Sequence, residues 1–151
     1  MFDPVKIFSD IAVIRDLQFM YGARHFQYCE LTQKTLTAGD SFLGMFPFTE
    51  QGQMNNGSVS TWTVSTIIWI GRKFDPAEIT HSNLDETEEQ KYERRLKYLR
   101  SLMETVLSDL CASSYVELLS ARVFRELNKF DECTDVIGCE LSFSYDPSYT
   151  N

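Results

Sequence analysis

The segment STWTVSTIIWIG, residues 60–71, decides the fold class of this chain. It is rich in β-branched and aromatic residues, which favour strands. Because strand side chains alternate with a period of two, Trp62, Val64 and Ile68 lie on one face. Trp62 and Trp69 are seven residues apart and therefore point to opposite faces. We expect one tryptophan to lie in a core and the other to be covered by a helix or by a neighbouring subunit.

Residues 84–110 downstream predict the longest helix. Its first turn, DETEE, is acidic and complements the helix dipole. Apolar residues then recur at intervals of three and four positions, which predicts one continuous buried stripe. The stripe consists of Tyr92, Leu96, Leu99, Met103, Val106 and Leu110.

The segments upstream of the central strand predict a first helix, a strand and a connection. Residues 3–31 have apolar spacing typical of a helix, with Asp3 as the cap and Pro4 in the first turn. FLGMFPFTE, residues 42–50, alternates as a strand, and Pro47 implies an edge or a strand end. The Gly- and Asn-rich segment 51–58 predicts either a hairpin loop or a mobile arm, and we expect a flexible loop over about 49–58.

Two strands, 115–127 and 135–145, close the chain, with NKFDECTD between them as a long turn. The second strand alternates apolar and polar residues, which predicts a sheet with one covered face. The 151 residues match the usual size of one domain. The sequence therefore predicts a single α+β domain over 1–151 in the order α-β-β-α-β-β, with a mainly antiparallel sheet packed against the long helix.

Composition and charge exclude several classes of function. A net charge of −8 repels a phosphate backbone, so sequence-specific nucleic-acid binding is disfavoured. No apolar run is long enough to span a membrane, and the start MFDPVKIF lacks the features of a signal peptide. The four cysteines include no CxxC pair, so we expect free thiols in a reducing cytoplasm.

Candidate catalytic and metal-binding residues do not form a recognisable constellation. His25 and His81 have no neighbour at triad or metal-ligand spacing. Cys133 and Cys139 lack the tight pairing that structural zinc sites use, and Cys139 falls on the predicted buried face. No GxSxG, GxGxxG or P-loop motif is present. We therefore expect no catalysis, no cofactor and no metal.

Basic residues follow the acidic start of the long helix, among them Arg94 and Arg95. One interpretation is a solvated face held by ion pairs between successive turns. The other is a docking surface for an acidic protein partner.

The pattern as a whole resembles the tail-terminator or tail-completion proteins of tailed bacteriophages. The segments that carry the resemblance are FLGMFPF with its Gly/Asn-rich loop, STWTVSTIIWIG, the helix 84–110 and ARVFRELNKFDECTDVIGCELSFSY, residues 121–145. The long first helix departs from that family and leaves a related neck or connector ring protein open.

The resemblance implies a structural virion protein without catalysis, assembled in the host bacterial cytoplasm. Its partners would be copies of itself in a ring, hexameric or of higher order, and neighbouring neck, portal or tail proteins. DNA would pass through the ring without specific binding. The candidate subunit-interface residues are Pro47, Phe48, Gln51, Met54, Asn55, Asn56, Trp62, Trp69, Arg94 and Arg95.

The last predicted turn supplies candidates for an acidic lining of the ring. Asp131, Glu132 and Asp135 would face the lumen and repel passing DNA, or would merely keep the turn soluble. Two other functions stay open: a cytoplasmic adaptor that binds a protein through the basic face of helix 84–110, and an enzyme whose site is assembled between subunits.

Overall fold

The architecture was obtained as a computed structural model, which describes residues 1–22, 39–74, 87–131 and 134–151. These residues form a mixed α+β structure with one six-stranded sheet. The helices and strands, in chain order, are α1 (Pro4–Ile14), β1 (Gln18–Tyr21), β2 (Ser41–Met45), β3 (Thr49–Asn55), β4 (Ser58–Lys73), α2 (Glu88–Cys111), β5 (Val116–Asp131) and β6 (Thr134–Tyr145).

The central strand β4 organises the sheet. The strand order is β1-β2-β4-β6-β5, and β3 pairs with β4 on the same side as β2. All the pairings are antiparallel except that of β1 with β2. The mainly antiparallel sheet is thus as predicted, whereas β1 and a separate β3 add two strands to the predicted order.

Helix α2 begins with a capping box. The hydroxyl of Thr87 accepts a hydrogen bond from the Gln90 backbone N–H at 3.2 Å, and the Gln90 side chain accepts one from the Thr87 N–H at 2.9 Å. The buried stripe from Leu96 to Leu110 is as predicted. Tyr92 is an exception, because it is exposed while Lys91 and Arg95 beside it are buried.

The first helix ends at Ile14, although a helix was predicted over 3–31; residues 23–31 of that span lie outside the described residues. Asp3 caps α1 through a 3.0 Å hydrogen bond from the Val5 N–H. At the other end Asp16 takes a left-handed conformation with φ of 56°, and the Leu17 N–H donates to the Ala12 carbonyl at 2.8 Å. This is a Schellman motif with aspartate where glycine is usual. The chain therefore turns after Ile14 into β1.

Both helices cover one face of the sheet, and the main core lies between them. Phe8 and Ile11 from α1 and Leu99 and Met103 from α2 pack against the buried side chains of β2, β4 and β6. Arg15 joins the C-terminal ends of the two helices through two hydrogen bonds to the Asp109 carboxylate, at 2.6 and 2.7 Å. Within the described part of the chain, no helix is long and apolar enough to cross a membrane.

A second, smaller cluster lies on the opposite face of the sheet and contains Trp69. Its ring meets those of Phe46 and Phe124 edge to face, with centroids 5.7 and 5.1 Å apart. Gly138 leaves the space that the Phe124 ring occupies, because a Cβ there would lie 2.3 Å from that ring. Trp69 is 4% exposed, so this chain itself covers the second tryptophan. The prediction that a helix or a neighbouring subunit covers it is therefore wrong, and Trp69 is no longer an interface candidate.

Two predicted loops are strands. Residues 49–55 form β3, paired with β4 throughout, so the expected flexible loop over 49–58 is an ordered hairpin. The predicted long turn NKFDECTD is also wrong, because β5 continues to Asp131 and Asp131 pairs with Thr134. Residues 132 and 133 lie outside the described residues.

Candidate assembly surfaces

A hairpin formed by β3 and β4 projects from the sheet. Strand β6 pairs with β4 only from Trp62 onward, so the four residues Ser58–Thr61 pair with β3 alone. At about 3.3 Å per residue, the hairpin extends about 13 Å past the end of β6. Its tip is a tight turn in which Asn56 and Gly57 have φ of 51° and 83°. Two successive positive φ angles are typical of type I′ hairpin turns, where Asn-Gly is the preferred pair.

The base of the hairpin is anchored to the body of the protein. The Tyr145 hydroxyl donates a 2.9 Å hydrogen bond to the Glu50 carboxylate. Burial, then the hydrogen bond to Glu50, raises the pKa of Tyr145 above its ordinary value, so the phenol stays protonated at neutral pH. The Trp62 ring packs over Gly52, where a Cβ would lie 3.0 Å from the ring. The hairpin is thus held at its base and exposed at its tip.

The predicted interface residues of this region divide by exposure. Pro47 is exposed in the connection between β2 and β3, while Phe48 and Trp62 are partly buried against the main core. The candidates that are exposed on the hairpin are Gln51, Met54, Asn55 and Asn56. The structure therefore brings four of the ten candidate interface residues together as exposed side chains on one hairpin.

Strand β5 forms the opposite edge of the sheet. Among the described residues it pairs only with β6, so the backbone groups of its outer edge face away from the sheet. Leu119 is the extra residue of a β-bulge and is 51% exposed, and Val123 is 37% exposed. A long edge strand with exposed apolar side chains is typical of a surface that contacts another chain.

A groove of about 560 Å³ lies on the face of the sheet that the helices leave uncovered. Phe46, Pro47 and Ile67 form its apolar wall. Its polar side contains the hydroxyls of Ser65, Ser120 and Ser142 and the ion pair of Arg122 with Glu140.

The ion pair of the groove has two parallel hydrogen bonds, with Arg122–Glu140 distances of 2.8 and 2.9 Å. Its hydrogen bonds lower the pKa of Glu140, so both groups are charged at neutral pH. The groove therefore carries one charge of each sign and little net charge.

Arg95 is buried, which corrects its place in a solvated or partner-binding face. Its Nε donates a 2.6 Å hydrogen bond to Asp135, and the two side chains are 9% and 0% exposed. Asp135 lies inside β6 rather than in a projecting turn, so it cannot face a lumen. Of the other acidic candidates, Asp131 ends β5 and Glu132 lies outside the described residues.

The basic residues that remain exposed on α2 lie together. Arg94, Lys97 and Arg100 line a groove of about 480 Å³ with Arg125 of β5. Arg100 also contacts Glu104 one turn later, at 3.4 Å. The predicted ion pairing between turns is therefore present on this helix, and the exposed basic residues share one groove with Arg125.

The residues tested for chemistry are only partly described. His25, His81, Cys29 and Cys133 lie outside the described residues. Cys139 is buried as predicted, and burial raises its pKa to about 11, so the thiol is neutral at physiological pH. The described residues contain no group of three or more His, Cys, Asp or Glu side chains that could hold a metal ion.

No protein-family model and no curated protein matches the chain. The surfaces described above are therefore the basis for a functional proposal.

Sequence reasoning missed the groove at Ile67 and Ser142. A signal was present in Glu140, Ser142 and Ser144, which alternate with the apolar residues of β6 and mark a polar face.

Proposed function

We propose that this chain is a ring-forming structural subunit of the neck or tail of a tailed bacteriophage, of the tail-terminator or head–tail connector type, without catalysis. The observation that carries the proposal is that the two sides of the sheet differ. The β3–β4 hairpin projects on one side, and the exposed strand β5 forms the edge on the other.

Different surfaces on opposite sides favour head-to-tail association. A two-fold dimer uses the same patch on both subunits. A contact between two different patches leaves one patch of each kind unoccupied in the pair, and further copies can bind there. Such a contact closes into a ring when the rotation between subunits allows it. The anchored, projecting hairpin supports this mode because it extends about 13 Å from its own sheet.

Charge supports a role around DNA. A net charge of −8 on each copy makes an assembled ring strongly negative, which disfavours adhesion of a passing duplex. Asp131 and Glu132 stay candidates for the lumen, without Asp135. The proposed location is the virion, where the ring would contact portal, neck or tail proteins.

Sedimentation velocity tests the ring. We expect the wild-type chain to sediment as one discrete high-order species. Replacing Leu119 and Val123 with lysine places two charges on the β5 edge, so we expect monomers with an unchanged melting temperature. Val13→Lys is the matched control, because Val13 is 77% exposed and lies on α1, which is part of neither the hairpin nor β5. An edge variant of wild-type size contradicts the role given to β5.

The phage setting has a separate test in the genes that flank the coding sequence. We expect portal and tail genes beside it. Flanking genes that encode no virion component contradict this part of the proposal and leave the ring itself untouched.

The second candidate function is an adaptor that binds an acidic protein through α2. The supporting observation is the groove shared by Arg94, Lys97, Arg100 and Arg125 in a chain of net charge −8. An adaptor predicts a monomer or dimer in solution. It also predicts that Lys97→Glu with Arg100→Glu abolishes capture of its partner, whereas a ring subunit keeps its assembly size in this variant.

A further inference from the structure

The projecting hairpin has an apolar strip on one face. A Cβ on Gly52 would lie 3.0 Å from the Trp62 ring and 3.2 Å from a methyl of Val59, so these two side chains share a face. Met54 is the cross-strand partner of Val59 and therefore lies on the same face. Met54 is 62% exposed, which leaves a flexible apolar side chain near the tip of the element.

The groove on the uncovered face is already shaped by backbone hydrogen bonds. The Phe46 N–H donates to the Ile67 carbonyl at 3.0 Å, and the Thr66 hydroxyl donates to the Phe46 carbonyl at 2.8 Å. These bonds fix the apolar wall against β4. The volume of about 560 Å³ lies within the range of small-ligand pockets and exceeds that of a single methionine side chain.

We propose that this groove receives the hairpin tip of a neighbouring copy of the chain, with Met54 against Phe46 and Ile67. The amide of Asn56 in the turn then meets the serine hydroxyls on the polar side. This inference rests on the proposed ring, and it places the neighbour's hairpin tip in the groove beside β5, whose Ser120 and Arg122 line it.

Charge identifies a second copy as the occupant. Residues 51–61 contain no charged side chain, and the two charges of the groove are paired with each other. Two chains of net charge −8 repel each other over most of their surfaces. A neutral tip in a groove of little net charge joins them where this repulsion is weakest.

A hairpin cannot occupy the groove of its own chain. Met54 lies opposite Val59, whereas the groove begins at Ser65 on the same strand. Six residues of extended strand separate these positions by about 20 Å. The contact is therefore between subunits, and it joins two different patches, as a ring requires.

Disulfide trapping tests the contact directly. Met54→Cys and Ser65→Cys are made in separate chains carrying Cys111→Ser, because Cys111 is an exposed native thiol. After mixing and mild oxidation, we expect a covalent dimer that contains one chain of each kind. The matched control replaces Ser65→Cys with Ser101→Cys, an exposed serine on α2, and we expect no such dimer. Equal trapping in both mixtures, or none in the first, overturns the proposal.

Blocking the groove separates this inference from the ring itself. Ser65→Arg places a bulky charge in the groove at an exposed position, so we expect loss of the assembled species with an unchanged melting temperature. Met54→Lys has the same expected effect, and Met54→Leu retains assembly. If the wild type forms a ring and these blocking variants also do, the hairpin contact is wrong and the ring stands. A wild type that stays monomeric contradicts both.

Discussion

Arg95 and Asp135 form a buried ion pair, which removes two charged residues from the protein surface. Forty positions separate them in the chain, yet they meet at 2.6 Å between α2 and the first residues of β6. Neither residue differs in type from the exposed charges around it, so the sequence offers no local signal for the pair. The interior position removes both from any partner surface, and the buried Arg95 charge depends on Asp135 as its counter-charge.

Loss of the Asp135 charge tests this dependence. We expect Asp135→Asn to lower the free energy of unfolding by about 3–5 kcal/mol, because Arg95 is then left charged and buried without its counter-charge. Urea denaturation measures the difference. Glu140→Gln is the matched control, since it breaks an exposed arginine pair, and we expect a much smaller loss. Equal losses in the two variants contradict the assignment of a buried pair.

Two apolar side chains test the predicted core faces. Leu99 and Phe143 are fully buried on α2 and β6. Truncation of either to alanine leaves a cavity in the main core, so we expect each to lower the free energy of unfolding by about 2–5 kcal/mol. Lys97→Ala on the exposed side of α2 is the control. A loss below about 0.5 kcal/mol for either residue would place it outside the close-packed core.

At the scale of elements, strong periodicity was sufficient for prediction. The strand at 60–71, the stripe from Leu96 to Leu110 and the final strand are present as expected. Elements without a periodic pattern were missed. Strand β3 has nearly every residue exposed, so it lacks the alternation that identifies a strand. Helix α1 ends at Ile14 and is followed by Asp16 in a left-handed conformation. A glycine at that position would have indicated the end of the helix in the sequence, whereas an aspartate did not.

The same reasoning applies to the candidate site. Gln51, Met54, Asn55 and Asn56 were candidate interface residues, and the structure places them on the projecting hairpin. The sequence indicated only the polar face of β6. The whole groove could not be predicted, because it combines residues from β4, β5, β6 and the connection after β2 that are distant in sequence. Trp69 was misjudged because aromatic residues of its own chain cover it, an arrangement that only tertiary packing determines.

Removal of the hairpin tests the element as a unit. We expect deletion of Gln51–Gly57 to leave a folded chain, because β3 lies at the edge of the sheet and outside both clusters. We also expect the deletion to abolish assembly. Circular dichroism and light scattering measure the two effects. A deletion variant that assembles would show that the hairpin is dispensable.

At the scale of the whole molecule, three features act together. The sheet has a projecting hairpin on one side and an exposed long strand on the other, and a groove of little net charge lies on the face without helices. The net charge of −8 opposes unspecific association and adhesion to DNA. These features fit a subunit that associates head to tail around a passage for DNA better than one that acts alone.

Native mass spectrometry of the wild-type chain tests this account most directly, because it counts subunits without assuming a shape. The predicted result is one dominant mass at an integral multiple of 17.5 kDa, hexameric or larger, that does not grow with concentration, as a closed ring requires. A chain that remains a monomer or dimer at every concentration would contradict the ring and favour the adaptor.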